Sequence, residues 1–159
     1  MKRRGHPLIR NQRGNELLEF ALVLPLLVLL LAGAVEFGRA FYTYNILTKS
    51  VRNAARYLSA TQISQSGVID TSPVDYVTNT KNVAVFGNVD PNAGTKIIPD
   101  LSTNQIDVTG TGTPGPAAGQ FYVTVTANYP YTPLFGFLLP VVTFQPKVTM
   151  LFVGGVTGT

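Results

Sequence analysis

The chain is poorly supplied with the side chains that enzymes use for nucleophilic, acid–base or metal chemistry. It has no cysteine, and its single histidine, His6, lies in the N-terminal basic tail, so thiolate sites, a Ser-His-Asp triad and multi-histidine metal sites are excluded. Five aspartates lie after residue 60, and three of them, Asp75, Asp90 and Asp100, stand beside Tyr or Pro in contexts typical of turns and caps. A catalytic pair of carboxylates could be assembled only by folding. We therefore predict no catalytic, cofactor-binding or metal-ligating residue and no small-molecule substrate.

The positive charge of the chain is concentrated at its N-terminus. The formal net charge is +4, and five of the twelve basic residues lie before residue 15: Lys2, Arg3, Arg4, Arg10 and Arg13. Without residues 1–14 the balance is seven basic against eight acidic residues. A nucleic-acid-binding protein carries its positive charge on a folded face, whereas basic residues next to an apolar segment mark the cytoplasmic side of a membrane. We therefore predict a basic leader, residues 1–14, in the cytoplasm, and no nucleic-acid partner.

An apolar segment follows this leader directly. Residues 17–35 would form about 28 Å of helix at ~1.5 Å per residue, close to the ~30 Å hydrocarbon core of a bilayer. Glu19 is the one charged residue in the segment. Pro25 is tolerated in a membrane helix because neighbouring groups can satisfy the freed carbonyl. We predict a single-pass inner-membrane helix over about residues 17–38, with the C-terminal domain outside the cytoplasm.

The helical pattern continues beyond the apolar segment. Apolar side chains recur at spacings of three and four and form one stripe: Phe37, Phe41, Tyr44, Leu47, Val51, Ala54 and Leu58. This pattern predicts one helix over residues 15–60, whose second half packs its stripe on the C-terminal domain. Four basic residues lie mostly off the stripe: Arg39, Lys49, Arg52 and Arg56. They are typical of a solvated helix face, and contacts with anionic headgroups or a partner's acids are the alternative.

Strand patterns begin after the helix. Residues 120–129 alternate as a half-buried strand does, with the odd-numbered side chains from Phe121 to Tyr129 on one face. Residues 144–153 form a second candidate, with one face made of four apolar side chains: Phe144, Val148, Met150 and Phe152. Residues 83–86 and 105–108 are weaker strand candidates.

The remaining composition sets the fold class. Residues 109–119 are rich in Gly, Pro and Thr and are interpreted as a loop. About four strands and one apolar helix face predict an α+β fold. In this fold a long N-terminal helix packs on a small antiparallel sheet within a β-rich domain, residues 61–159.

The most specific local motif lies where the leader meets the apolar segment. Gly14 ends the basic leader, and Glu19 stands five residues later at the start of the hydrophobic helix. This arrangement resembles the processing site of type IV prepilins. The resemblance implies cleavage of the Gly14–Asn15 bond by a membrane aspartyl prepilin peptidase, which would make Glu19 the fifth residue of the mature chain. It also implies that Glu19 pairs with the freed α-amino group of an adjacent subunit and sets the register of assembly.

A wider resemblance covers residues 13–60. Four features are similar to the TadE family of pseudopilins: the Glu19-Phe20-Ala21 motif, Pro25, the Glu36-Phe37-Gly38-Arg39 motif, and the Ala54-Ala55-Arg56-Tyr57 turn. The Tyr129-Pro130-Tyr131 strand end, the apolar stretch 134–140 and a closing strand are similar in shape only. The resemblance implies a structural part of a Tad (Flp) pilus or related secretion apparatus, with other pilins or pseudopilins as partners. It assigns assembly roles to Glu19, Phe20 and Pro25, and no enzymatic activity.

Two other interpretations fit parts of the sequence. A secretory signal peptide would use residues 20–31 as its apolar core and Ala32-Gly33-Ala34 as its cleavage site. Glu16 and Glu19 argue against this, because a signal peptide has a purely basic leader. The alternative function is a membrane-anchored or secreted extracytoplasmic binding domain that is not part of a pilus.

Overall fold

In the computed structural model the described residues are 12–61, 63–64, 75–111, 121–136, 140–153 and 156–157. A long helix is followed by a second helix and a set of short strands, and the sheet packs on the C-terminal half of the long helix. This architecture confirms the predicted α+β fold. Most of the predicted leader, Asp70, and residues 112–119 of the predicted loop lie outside the described residues.

The first element, α1, is one α-helix over Gln12–Ser59 with Pro25 inside it. It begins three residues before the predicted start, so the end of the predicted leader is already helical. Its stripe divides at Tyr44: the last four members, from Leu47 to Leu58, are fully buried. Phe37 and Phe41 stack on each other with ring centres 6.4 Å apart, yet both remain largely exposed. The domain therefore covers only the C-terminal part of the stripe.

A second helix, α2, spans Tyr76–Phe86, so the prediction of a strand at residues 83–86 is wrong. Asp75 caps its N-terminus, because the carboxylate accepts the Thr78 N–H at 2.9 Å. Gly87 ends it with a left-handed φ of 73°, a conformation that glycine adopts without steric cost. The predicted cap role of Asp75 is confirmed.

The main sheet has three antiparallel strands in the order β2 (Ile106–Thr111), β3 (Tyr122–Ala127) and β6 (Lys147–Leu151). Its register pairs Val125 with both Val108 and Val148. The odd-numbered side chains of the central strand are buried as predicted, and the four apolar side chains predicted to share a face over residues 144–153 pack against the core. Since β2 continues through Thr111, the predicted loop at residues 109–119 is wrong for its first three residues.

Each of the two long predicted strands, residues 120–129 and 144–153, is interrupted, and the two breaks lie side by side in the sheet. Beyond Asn128, β4 (Tyr129–Tyr131) pairs with β5 (Val142–Phe144) in a separate two-stranded sheet. On the neighbouring strand Pro146 supplies a carbonyl to the Ala127 N–H at 3.1 Å, while its own nitrogen carries no hydrogen. The break redirects Tyr131 and the following residues away from the main sheet.

The chain closes near the C-terminal end of α1. The two-residue strands β1 (Ile63–Ser64) and β7 (Val156–Thr157) pair in parallel, and the Val153 N–H donates to the Ser59 carbonyl at 2.9 Å. One continuous core joins both helices and the sheet: Leu47, Val51, Ala54, Ala55, Leu58, Ala84, Val85, Ile98, Leu101, Ile106, Phe121, Val123, Val125, Ala127, Tyr129 and Tyr131.

Candidate assembly surface on the N-terminal half of the long helix

The N-terminal half of α1 is apolar on nearly every side and is open to its surroundings. Every residue from Gly14 to Leu31 is exposed, and Leu22 keeps 80% of its surface accessible. By length and composition the helix is able to cross a membrane. Monomeric soluble proteins rarely expose so large an apolar surface, and a helix that is apolar all round belongs in a membrane or a protein interior. The partner of this half therefore lies outside the described chain.

The residues predicted to act in processing and assembly all lie on this half. Gly14 and Asn15 are in the first turn, and a Cβ added at Gly14 would meet nothing within 4 Å. Glu19 is exposed, and no residue in the part of the chain that the structure describes pairs with it. Phe20 is 58% exposed, and Pro25 lines a groove. One helix thus carries all five residues, and cleavage and register-setting stay predictions.

A buried carboxylate marks the end of the exposed half. Glu36 has no accessible surface, and it accepts hydrogen bonds from the Tyr131 hydroxyl and from the Leu134 N–H at 3.1 Å. Arg39 Nη1 lies 3.6 Å from Glu36 Oε1, and Arg39 Nη2 donates to the Thr132 carbonyl at 3.2 Å. A buried carboxylate is costly unless it is paired and hydrogen-bonded. These contacts therefore hold the chain after Tyr131 against α1.

The aromatic ring of Tyr131 is enclosed by its neighbours. Burial, followed by the hydrogen bond to Glu36, raises the pKa of Tyr131 to about 12. Phe144 stacks on the ring with centres 5.1 Å apart, and the Arg39 guanidinium lies 5.2 Å from the ring centre. Tyr44 meets Phe144 edge-on at 5.6 Å. The phenol is therefore a protonated hydrogen-bond donor at neutral pH.

The contacts around Glu36 and Tyr131 correct the prediction that all four basic residues of α1 lie on a solvated helix face. Arg39 does not belong to a purely solvated face, because its guanidinium contacts Glu36 and the carbonyl of Thr132. Lys49, Arg52 and Arg56 are exposed, as a solvated face requires. The sequence motifs that contain Glu36 and Tyr131 are recognisable, but they do not indicate that the two residues are in contact. The signal available was a lone acidic residue closing an apolar segment, which requires a partner.

A groove runs along the exposed half of α1 up to the loop that follows Tyr131. It encloses about 460 Å³, and all its lining side chains are apolar: Leu24, Pro25, Val28, Leu29, Ala32 and Phe135. Across the described ranges, no group of three His, Cys, Asp or Glu side chains is placed to hold a metal ion. The surface suits contact with lipid or with other apolar helices.

Comparison with models of protein families matches residues 15–56 to the family described as TadE-like protein. The match runs from the predicted leader junction to the last turn of α1, so it includes the exposed and the buried half. It confirms, over this segment, the resemblance drawn from the sequence. No curated protein and no solved structure matches the chain.

Proposed function

We propose that the chain is a membrane-anchored structural subunit, a TadE-like pseudopilin of a Tad (Flp) pilus or a related secretion apparatus. The observation that carries this proposal is the division of α1. Its N-terminal half is exposed and apolar, and its C-terminal half forms the core of a folded domain. A subunit of this shape can leave its anchoring half available to lipid and to neighbouring helices. The family match over both halves supports the same role.

In this proposal, topology and processing are assigned to the two ends of the exposed half. The basic leader stays in the cytoplasm, the exposed half crosses the inner membrane once, and the domain lies outside the cytoplasm. A prepilin peptidase removes residues 1–14 at the Gly14–Asn15 bond. The exposure of this junction supports the proposal, because no described side chain packs over Gly14.

Glu19 is the register-setting residue in this proposal. A carboxylate near the hydrocarbon core persists where it has a cationic partner, and cleavage creates one in the α-amino group of Asn15. The exposed carboxylate of Glu19 fits pairing with Asn15 of an adjacent subunit better than pairing within its own chain. Phe20 and Pro25 shape the same helix surface. Subunits joined in this way initiate, extend or cap the filament.

Processing is tested by the N-terminal residue of the protein recovered from its native membrane. Intact mass or terminal sequencing is expected to show a start at Asn15. A start at Val35 would instead identify a secreted domain released by a signal peptidase, and a start at Met1 would identify an unprocessed anchor. Either of these two results contradicts the proposal and favours an extracytoplasmic binding domain.

Register-setting is tested by Glu19→Ala, with Glu16→Ala as the matched control. Both glutamates are exposed on the same helix, one turn apart. We expect Glu19→Ala to abolish piliation and Glu16→Ala to leave it unchanged, with both proteins present in the membrane at normal levels. Normal pili with Glu19→Ala would show that the register does not depend on this carboxylate.

The place of the subunit in the apparatus is tested by crosslinking between helices in cells. Cysteines introduced at exposed positions such as Leu22 would each be unique, since the chain has none. Under an added oxidant, we expect disulfides to cysteines introduced at matching helix positions of other pilins of the same system. Crosslinks to no pilin, in cells that assemble pili, would exclude the subunit from the filament and its base.

A further inference from the structure

A short loop lies beside the apolar half of α1 rather than beside the main sheet. This Leu134 loop, residues 132–136, is held at Glu36 by the Leu134 N–H at 3.1 Å. Phe135 lines the same groove as Ala32, which lies about 6 Å nearer the N-terminus of the helix than Glu36 at ~1.5 Å per residue. If α1 spans the bilayer as proposed, Phe135 lies at the depth of the extracytoplasmic leaflet.

The composition of this region fits contact with hydrocarbon. No Asp, Glu, Lys or Arg occurs between Asp107 and Lys147. Leu134 is 67% exposed, and Val141, a short distance along the chain, is 63% exposed. Clustered exposed apolar side chains mark an interaction surface. Lipid is the occupant that fits best, because Phe135, the neighbour of Leu134, lines an apolar groove together with the exposed half of α1.

The backbone of the Leu134 loop is also prepared for a site without water. Irregular backbone is tolerated at membrane depth where its polar groups are satisfied within the protein. Pro133 has no N–H, and the carbonyl of the preceding residue accepts from Arg39. The N–H groups of Leu134 and Phe135 are both directed at the Glu36 carboxylate. Glu36 therefore accepts from two N–H groups of a loop that packs against the exposed half of α1.

We propose that the Leu134 loop is a second membrane contact, which inserts Leu134 and Phe135 among the acyl chains of the extracytoplasmic leaflet beside α1. The loop covers Glu36 from lipid and sets how deep the helix sits in the bilayer. This inference rests on the membrane anchoring in the proposed function and is independent of the pilus role.

Single-tryptophan variants test the depth of the loop, because the chain contains no tryptophan. The full chain would be reconstituted into phosphatidylglycerol and phosphatidylcholine vesicles that carry bromine on the acyl chains. Phe135→Trp probes the loop and Val28→Trp the membrane helix. Val89→Trp is the control, since Val89 is exposed in the turn after α2. We expect bromine to quench the fluorescence of Phe135→Trp and Val28→Trp and not that of Val89→Trp.

The outcomes separate the loop from the anchor. Quenching of Val28→Trp without quenching of Phe135→Trp overturns the loop contact and leaves the anchor intact. Crosslinking of residue 135 to a second copy of the chain, without quenching of Phe135→Trp, would likewise overturn the contact with lipid. Absence of quenching at Val28→Trp overturns the anchoring itself. Leu134→Trp places the probe at a largely exposed position, so the depth of the loop remains measurable if Phe135→Trp fails to fold.

Discussion

The two halves of α1 use similar side chains in opposite ways. From Leu17 to Leu31 no residue is buried, whereas Leu47, Val51 and Leu58 have no accessible surface at all. The N-terminal half is apolar on every face, while the C-terminal half is apolar along one stripe and carries Lys49, Arg52 and Arg56 elsewhere. A stripe can be covered by one sheet, but a helix that is apolar all round requires a surrounding partner. The arrangement of apolar residues around the helix therefore distinguishes the two environments better than the amount of apolar residues does.

Truncation of one leucine in each half tests directly whether the two halves lie in different environments. Leu58→Ala removes a fully buried side chain and is expected to destabilise the domain by ~2–5 kcal/mol. Leu27→Ala is the matched control, because Leu27 is 51% exposed and its loss should leave the domain unchanged. Denaturant unfolding of the chain in detergent micelles measures both effects. Equal destabilisation by the two variants would show that the exposed half also packs within the chain.

A smaller effect is expected where the two halves meet. Tyr131→Phe deletes the hydroxyl that donates to Glu36 and should cost ~1.5–3 kcal/mol, the range for a hydrogen bond to a charged group. Tyr42→Phe is the control, because Tyr42 is 67% exposed on α1, the helix that carries Glu36. The difference in unfolding free energy between these two variants isolates the contact. A difference near zero would remove Tyr131 as a link between the halves.

The same contact has a signature in alkali. Because the folded-state pKa of Tyr131 is raised to about 12, its contribution to stability is complete below the unfolded value of ~10. The contribution is lost as the pH rises through about 12. We expect the stability difference between wild type and Tyr131→Phe to shrink over this range. A difference that stays constant across it would show that the phenol titrates alike in both states.

The smallest effect is expected in α2, which packs on α1 and on β2. Asp75→Ala should cost ~1 kcal/mol through loss of the N-cap, whereas Asp75→Asn should retain most of it. The hydrogen bonds from Thr78, side chain first and then backbone, lower the pKa of Asp75 below 3.8. The greater stability of the wild type relative to Asp75→Asn is therefore present above pH 3.8. It is lost as the pH falls through the pKa of Asp75 in the folded state. Unfolding midpoints measured through this range would show whether it disappears as expected.

Local periodicity predicted the regular parts of this fold well. The length of α1 and the inward side chains of β3 follow from repeats of three to four and of two residues. The strand predicted at residues 83–86 was wrong because a short apolar run has no period that separates helix from strand. Asp75 as a cap and Gly87 as a C-terminal stop were the signals that could have identified α2.

The junction between the two halves was beyond local patterns. Glu36 and Tyr131 are 95 residues apart in the chain, and their contact depends on the break after Asn128 that turns β4 away from the main sheet. No spacing rule encodes such a pair. The uncharged stretch before Lys147 was visible in the sequence, but only the fold places part of it beside α1.

The absence of an interruption in α1 has a mechanical consequence. Its 48 residues form a single rod of about 70 Å, and the C-terminal half of this rod is the core of the domain. Any axial push or pull on the N-terminal end is therefore transmitted to the domain as displacement. If Glu19 sets the register between neighbouring subunits as proposed, a change of register by one residue would rotate the domain by about 100° around the rod. The outward face of each subunit would then be set some tens of ångströms away, at the first turns of the helix.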